Sequence, residues 1–259
     1  MKASTKDPRL IGLNSLILTV LLATLALPSL GQGMNKFNDS VIRRIHDLAD
    51  QRDADDLLPY LKSSDPNHRG EALFCLGSVQ PTGMADTIFA AMQVEQPRVR
   101  MIGAWAMGQT NDPSVVPLLF KLLENETDVL VKGMCYEAIG KCGTMDDLNK
   151  IAALDCSLGE TEGQSMSIFR FGLRGITSVT GNQRMLKLIT AGTSTVGAIY
   201  ASYYLGRYAG MDWLQTVPNE LERAFQNERN DEVRSNLIKA VIRAKDEEAW
   251  PLVKNILDS

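Results

Sequence analysis

Arg69-Gly70-Glu71-Ala72-Leu73-Phe74-Cys75-Leu76-Gly77 decides the fold, because it is written twice more. The copies are Arg100-Met101-Ile102-Gly103-Ala104-Trp105-Ala106-Met107-Gly108 and Lys132-Gly133-Met134-Cys135-Tyr136-Glu137-Ala138-Ile139-Gly140. Each puts a basic residue eight places before a glycine, a small residue three after the basic one, and an apolar residue just before the glycine. The glycines lie 31 and then 32 residues apart. A fixed period of that size marks helix pairs stacked so that each buries its neighbour's apolar face.

With the basic residue as position zero, Asp65, Gln96 and Asp128 stand four places earlier, and Pro66 and Pro97 follow the first two. A side chain that accepts from free N–H groups, then proline in the first turn, starts a helix. The same frame places three weaker copies downstream, capped by Ser165, Ser194 and Asn230, with Leu154 to Gln164 as a loop before them. A second apolar-periodic stretch follows each copy, as Val116 and Leu119 follow Gly108 and Leu148 and Ile151 follow Gly140. That is the spacing of an amphipathic helix. Val41 to Asp50 with Asp55 to Lys62, and Asp231 to Leu257, read as divergent end pairs, since an end repeat turns one face to water. The fold expected is all-α, an α-solenoid of about seven antiparallel helix pairs.

Asp-Pro, an apolar-basic pair, alanines ending in apolar-Gly, then Asp-Pro and a second helix resembles the short HEAT-like repeats of phycobilin-lyase type. Gln96 to Leu123 matches best, and the resemblance runs from about Asp39 to Ser259. It implies a HEAT-like superhelix and little about function, because repeat families share a scaffold and differ in surface.

Residues 1–31 stand apart. Lys2, Lys6 and Arg9 precede the uncharged stretch Leu10 to Leu27, then Pro28 and Ser29-Leu30-Gly31. A positive start, an apolar run and small residues at −3 and −1 are the layout of a secretory signal peptide. The alternative is an uncleaved signal anchor, since about 18 uncharged residues just reach across a bilayer. The expected domains are a signal peptide over 1–31 and a repeat domain over 32–259. The expected location is the periplasm or the cell exterior, or the membrane if the segment stays.

The 27 basic and 31 acidic residues leave a net charge of −4, which argues against nucleic acid as partner. Of the four cysteines, only Cys142 and Cys156 have a spacing compatible with a bridge; buried thiols are the favoured alternative. A related enzyme, deoxyhypusine hydroxylase, builds a di-iron site from His-Glu pairs. Here His46 and His68 are followed by Asp47 and Arg69, so no such pair exists. His68 is expected to be a packed structural histidine and His46 a helix-surface residue. No glycine-rich phosphate loop is found, so no cofactor and no catalysis are expected. The repeated basic residue (Arg69, Arg100, Lys132, Arg234) is expected to pair along the stack.

At about 100° per residue, positions −1, 3, 6 and 7 form the core face and position 5 points away. Positions 5 and 2 carry Phe74, Ile102, Trp105, Met134, Phe171, Tyr200 and Tyr203. Large apolar residues on a wet face mark a partner surface. They suggest a scaffold that binds another protein, with membrane contact only through an uncleaved N-terminal segment. A lyase-type or chaperone subunit holding a ligand in the concave face is the remaining alternative. On this reading Trp105→Ala leaves the melting temperature almost unchanged.

Overall fold

The computed structural model describes residues 35–93 and 96–257. The proposed signal segment over 1–31 lies outside the described residues. The chain divides into two units, residues 1–43 and 44–259. In the first, the Asn35 side chain accepts from Phe37 N–H over a short 3-10 turn, and Asp39 Oδ1 accepts from the N–H groups of Val41 and Ile42. The helix that follows, α1 (Ser40–Asp50), runs on into the second unit.

In the second unit a 3-10 helix, Asp55–Lys62, precedes α2 (Pro66–Val79), α3 (Ala85–Met92), α4 (Pro97–Gln109), α5 (Val115–Leu123) and α6 (Val129–Cys142). Then come α7 (Met145–Ala153), α8 (Thr161–Leu173), α9 (Val179–Ala191), α10 (Thr195–Arg207), α11 (Met211–Leu214), α12 (Pro218–Asn227), α13 (Asp231–Lys245) and α14 (Trp250–Leu257). No strand occurs among the described residues. The predicted caps at Asp65, Asp128, Ser194 and Asn230 all accept from N–H groups of the first turn.

The first helices, α2, α4, α6, α8, α10 and α13, pack one on the next in chain order. The second helices line the other side. Except for the terminal α14, each leans more on the first helix that follows it, as α3 on α4 and α5 on α6, than on the one before. The architecture is the expected α-solenoid. The core lies between the two layers, where Leu73, Leu76, Met107, Leu119, Ile139 and Leu237 are fully buried.

Small residues set how closely the first helices approach. A Cβ on Gly77 would stand 3.0 Å from Ala106 Cα, one on Gly108 2.9 Å from Ala138 Cα, and one on Gly140 2.5 Å from Ser167 O. The repeated glycine is therefore a crossing point, which explains its recurrence.

The register differs from expectation at α8. The helix begins at Thr161, inside the stretch expected to be loop, and Ser165 is fully buried within it rather than capping it. Ser157 donates instead, through its N–H and hydroxyl, to Glu160 at 2.8 and 2.6 Å just before the helix. Ser167 meets Gly140 as Ala138 meets Gly108, so the frame sits eight residues earlier than the sequence reading had it. Phe169 then stands where the other copies have their closing glycine.

Candidate partner surface

The basic residues Arg100 and Lys132 hold the stack. Arg100 grips Glu126 through two bonds, at 2.7 and 2.9 Å, and the same carboxylate accepts from the N–H groups of Thr127 and Asp128. Lys132 reaches Glu160 at 2.6 Å. Each cation thus ties its own helix to the start of the next first helix. Arg69 donates to Ser63 O and Arg234 lies over the Phe225 ring. The Arg100 guanidinium holds the Glu126 carboxyl below the usual range. The Lys132 ammonium, with Ser157, holds Glu160 at about 2.

A second set of arginines caps helix C-termini. Arg174 donates to Gly140 O and Gly143 O at 3.1 and 2.8 Å at the end of α6. Arg243 donates to Leu205 O and Ala209 O at 3.2 and 2.7 Å at the end of α10. Both meet carbonyls that the helix cannot satisfy, at the negative end of its dipole.

The thiols of Cys135, Cys142 and Cys156 are not activated as nucleophiles. Burial pushes Cys135 up to about 12 and raises Cys142 and Cys156 as well, which removes the reactive thiolate. All four cysteines are free, so Cys142 and Cys156 are not bridged. Cys142 Sγ points to Met107 O and Gly108 O, and Cys156 Sγ lies 4.0 Å from the Tyr136 hydroxyl. His68 is part of the structure as expected, with Nδ1 3.2 Å from Ser63 Oγ. His46 is not a free surface residue. It is half-buried, with Nε2 2.9 Å from Glu71 Oε2 and Nδ1 3.9 Å from Cys75 Sγ. Among the described residues no group of three or more His, Cys, Asp or Glu is arranged to hold a metal ion. No helix there is long and apolar enough to cross a membrane. A groove of about 700 Å³ lies along Leu58, Leu61, Lys62, Arg69, Asp86 and Thr87. Its mixed lining converges on no reacting centre.

The aromatic residues of the first helices gather in two patches. In one, Phe74 and Trp105 stack with ring centres 5.0 Å apart and planes 12° from parallel. Phe74 is 42% exposed and Trp105 half-buried. In the other, Phe169 lies 5.2 Å from Tyr200, 5.6 Å from Tyr203 edge-on, and 6.2 Å from Tyr208. Between the patches α6 carries Glu137, neutralised by Arg170 at 2.6 Å and Lys141 at 3.1 Å.

Of the residues expected on this face, Phe74 and Tyr203 are exposed and Ile102, Trp105, Met134 and Tyr200 are half-buried. Phe171 is a correction: it is fully buried, because the register of α8 turns it into the core. Phe169 and the exposed Leu173 were missed for the same reason, and Tyr208 because it follows α10, past the two positions per helix that define the face. For Phe169 and Leu173 a frame starting at Thr161 would have placed both on this face. Trp105 also differs from expectation: a Cβ on Gly77 would come within 2.5 Å of its ring, so it fills a helix crossing as well as facing out.

The family model for HEAT repeats matches residues 54–154, which spans the three clear copies. A search of curated proteins finds no match to the chain.

Proposed function

We propose that this chain, a HEAT-like repeat protein, is an exported, non-catalytic scaffold that binds another protein through the solvent face of its first helices. One observation carries the reading. Aromatic side chains from successive first helices gather in two patches, each with an exposed member, Phe74 in one and Tyr203 in the other. Clustered aromatics at a wet surface are what the centres of protein interfaces are made of. The absence of catalysis is supported by thiols that burial protonates and by histidines bonded to neighbouring side chains. Export rests on the layout of residues 1–31, with an uncleaved anchor as the alternative.

The test is a combined Phe74→Ala and Tyr203→Ala variant in a partner-binding assay on the secreted chain. Loss of binding with the melting curve retained supports the reading. Unchanged binding by a well-folded variant overturns it.

A further inference from the structure

The patch around Phe169 is rimmed by cations. Tyr203 is 36% exposed, Leu173, one turn beyond Phe169, is 49% exposed, and Val196, one turn before Tyr200, is 43% exposed. The C-terminal halves of α8, α10 and α13, with the residue that ends α8, carry Arg170, Arg174, Arg207, Lys239 and Arg243. Arg170 is matched by Glu137. Arg174 and Arg243 bond only neutral carbonyls and keep their charge. Arg207 and Lys239 are exposed. Among the described residues Arg207 forms no side-chain hydrogen bond or ion pair, and Lys239 reaches only Asn236 Oδ1, at 3.5 Å. Lys239 Cβ lies 3.5 Å from where a Cβ on Gly206 would be, beside the turn that carries Arg207. A chain of net charge −4 thus concentrates positive charge beside open tyrosines.

We infer that this patch binds an acidic polypeptide segment. Its carboxylates pair with Arg207 and Lys239, and its aromatic or proline side chains lie against Tyr200, Tyr203 and Leu173. Guanidinium suits carboxylate because its fork matches both oxygens. Opposite charge across the contact speeds encounter and sets orientation. A polyphosphate strand is the less favoured occupant, because the cations are few and the chain as a whole repels it. The inference rests on the scaffold reading of this face and adds which partner chemistry it takes.

The experiment pans a displayed library of random peptides on the full chain. Enriched peptides are then titrated against wild type, an Arg207→Glu and Lys239→Glu double variant, Tyr203→Ser and Phe74→Ala, with a thymidine oligonucleotide in parallel. Both cations are exposed, so the double variant is expected to melt with wild type. The expected result is enrichment of Asp and Glu beside aromatic residues or proline. Affinity should fall by about tenfold or more in the double variant, roughly 1.4 kcal/mol, and weaken with salt. Peptides without acidic bias, held equally by the double variant, overturn the inference and leave the scaffold reading standing. So do peptides lost with Phe74→Ala but kept by Tyr203→Ser. No enriched peptide overturns the inference alone, whereas oligonucleotide binding that depends on Tyr203 overturns the inference and the scaffold reading together.

Discussion

The Trp105 ring lies face to face with Phe74 at 5.0 Å and covers the face of Gly77, so one side chain both closes a helix crossing and builds a surface patch. Full burial of a tryptophan makes its truncation cost about 3–5 kcal/mol. Trp105 is half-buried, and Trp105→Ala is expected to cost about 2 kcal/mol in a denaturant titration. Phe74→Ala, at the open edge of the stack, should cost clearly less. Equal costs for the two would contradict the geometry. Phe74 is accordingly the cleaner site for testing partner binding.

Helix α6 meets α8 where two glycines touch. A Cβ on Gly163 would stand 2.5 Å from Gly133 Cα, and backbone cannot step aside as a side chain does. Gly163→Ala should destabilise the array by about 1–3 kcal/mol. Gly210→Ala, with nothing within 4 Å of the new atom, meets no clash and should cost no more than the few tenths of a kcal/mol by which alanine is the poorer helix N-cap. Thermal melts of the two variants check the contrast.

The Arg100–Glu126 pair joins α4 to the start of α6. The Glu126 side chain is 2% exposed and holds four bonds, two from Arg100 and two from backbone N–H groups. Glu126→Ala orphans all four donors and should cost about 2–4 kcal/mol. A lowered urea midpoint is expected, and one within error of wild type would count against the pair's role in holding the stack.

Glu160 titrates at about 2 when folded, below its ordinary value of 4.5, first because of Lys132 and then Ser157. A carboxylate held down in the folded state adds stability that is complete above its unfolded value. That share is lost as pH falls from about 4.5 towards about 2. Glu160→Gln should therefore flatten part of the acid limb of a stability-against-pH curve and lower stability at neutral pH. An unchanged acid limb would show that Lys132 does not hold the carboxylate in solution.

The proposed export makes a prediction of its own. Intact mass of the secreted chain should start at Gln32, after loss of the segment ending in Gly31. A chain starting at Met1 in the membrane fraction would favour an anchor.

The three clear repeats were legible because the helix crossing demands small residues at fixed places, Gly77 against Ala106 and Gly108 against Ala138. Their caps were legible because Asp65 and Asp128 bond the N–H groups next to them in sequence. Helix α8 was not, because Ser167 replaces the alanine, Phe169 replaces the glycine, and the buried Gln164 stands in a small-residue place. Gln164 fits there by donating to Ile151 O and Leu154 O, at 2.7 and 3.1 Å. Such bonds come from the preceding helix and leave no local pattern. The same shift put Phe171 outside when it is inside, and hid Phe169 from the surface patch. Which second helix pairs with which first helix was also hidden, since periodicity marks a buried face and not what covers it.

The claim that a partner docks on the first-helix face is tested most directly by site-specific photocrosslinking. A photoreactive phenylalanine replaces Phe74 or Tyr203 on that face, or Lys187 on the exposed side of α9, in the secreted chain. Mass spectrometry then identifies each adduct. The same protein crosslinked at Phe74 and Tyr203, with none at Lys187, is the expected result. Adducts at Lys187 alone would contradict it.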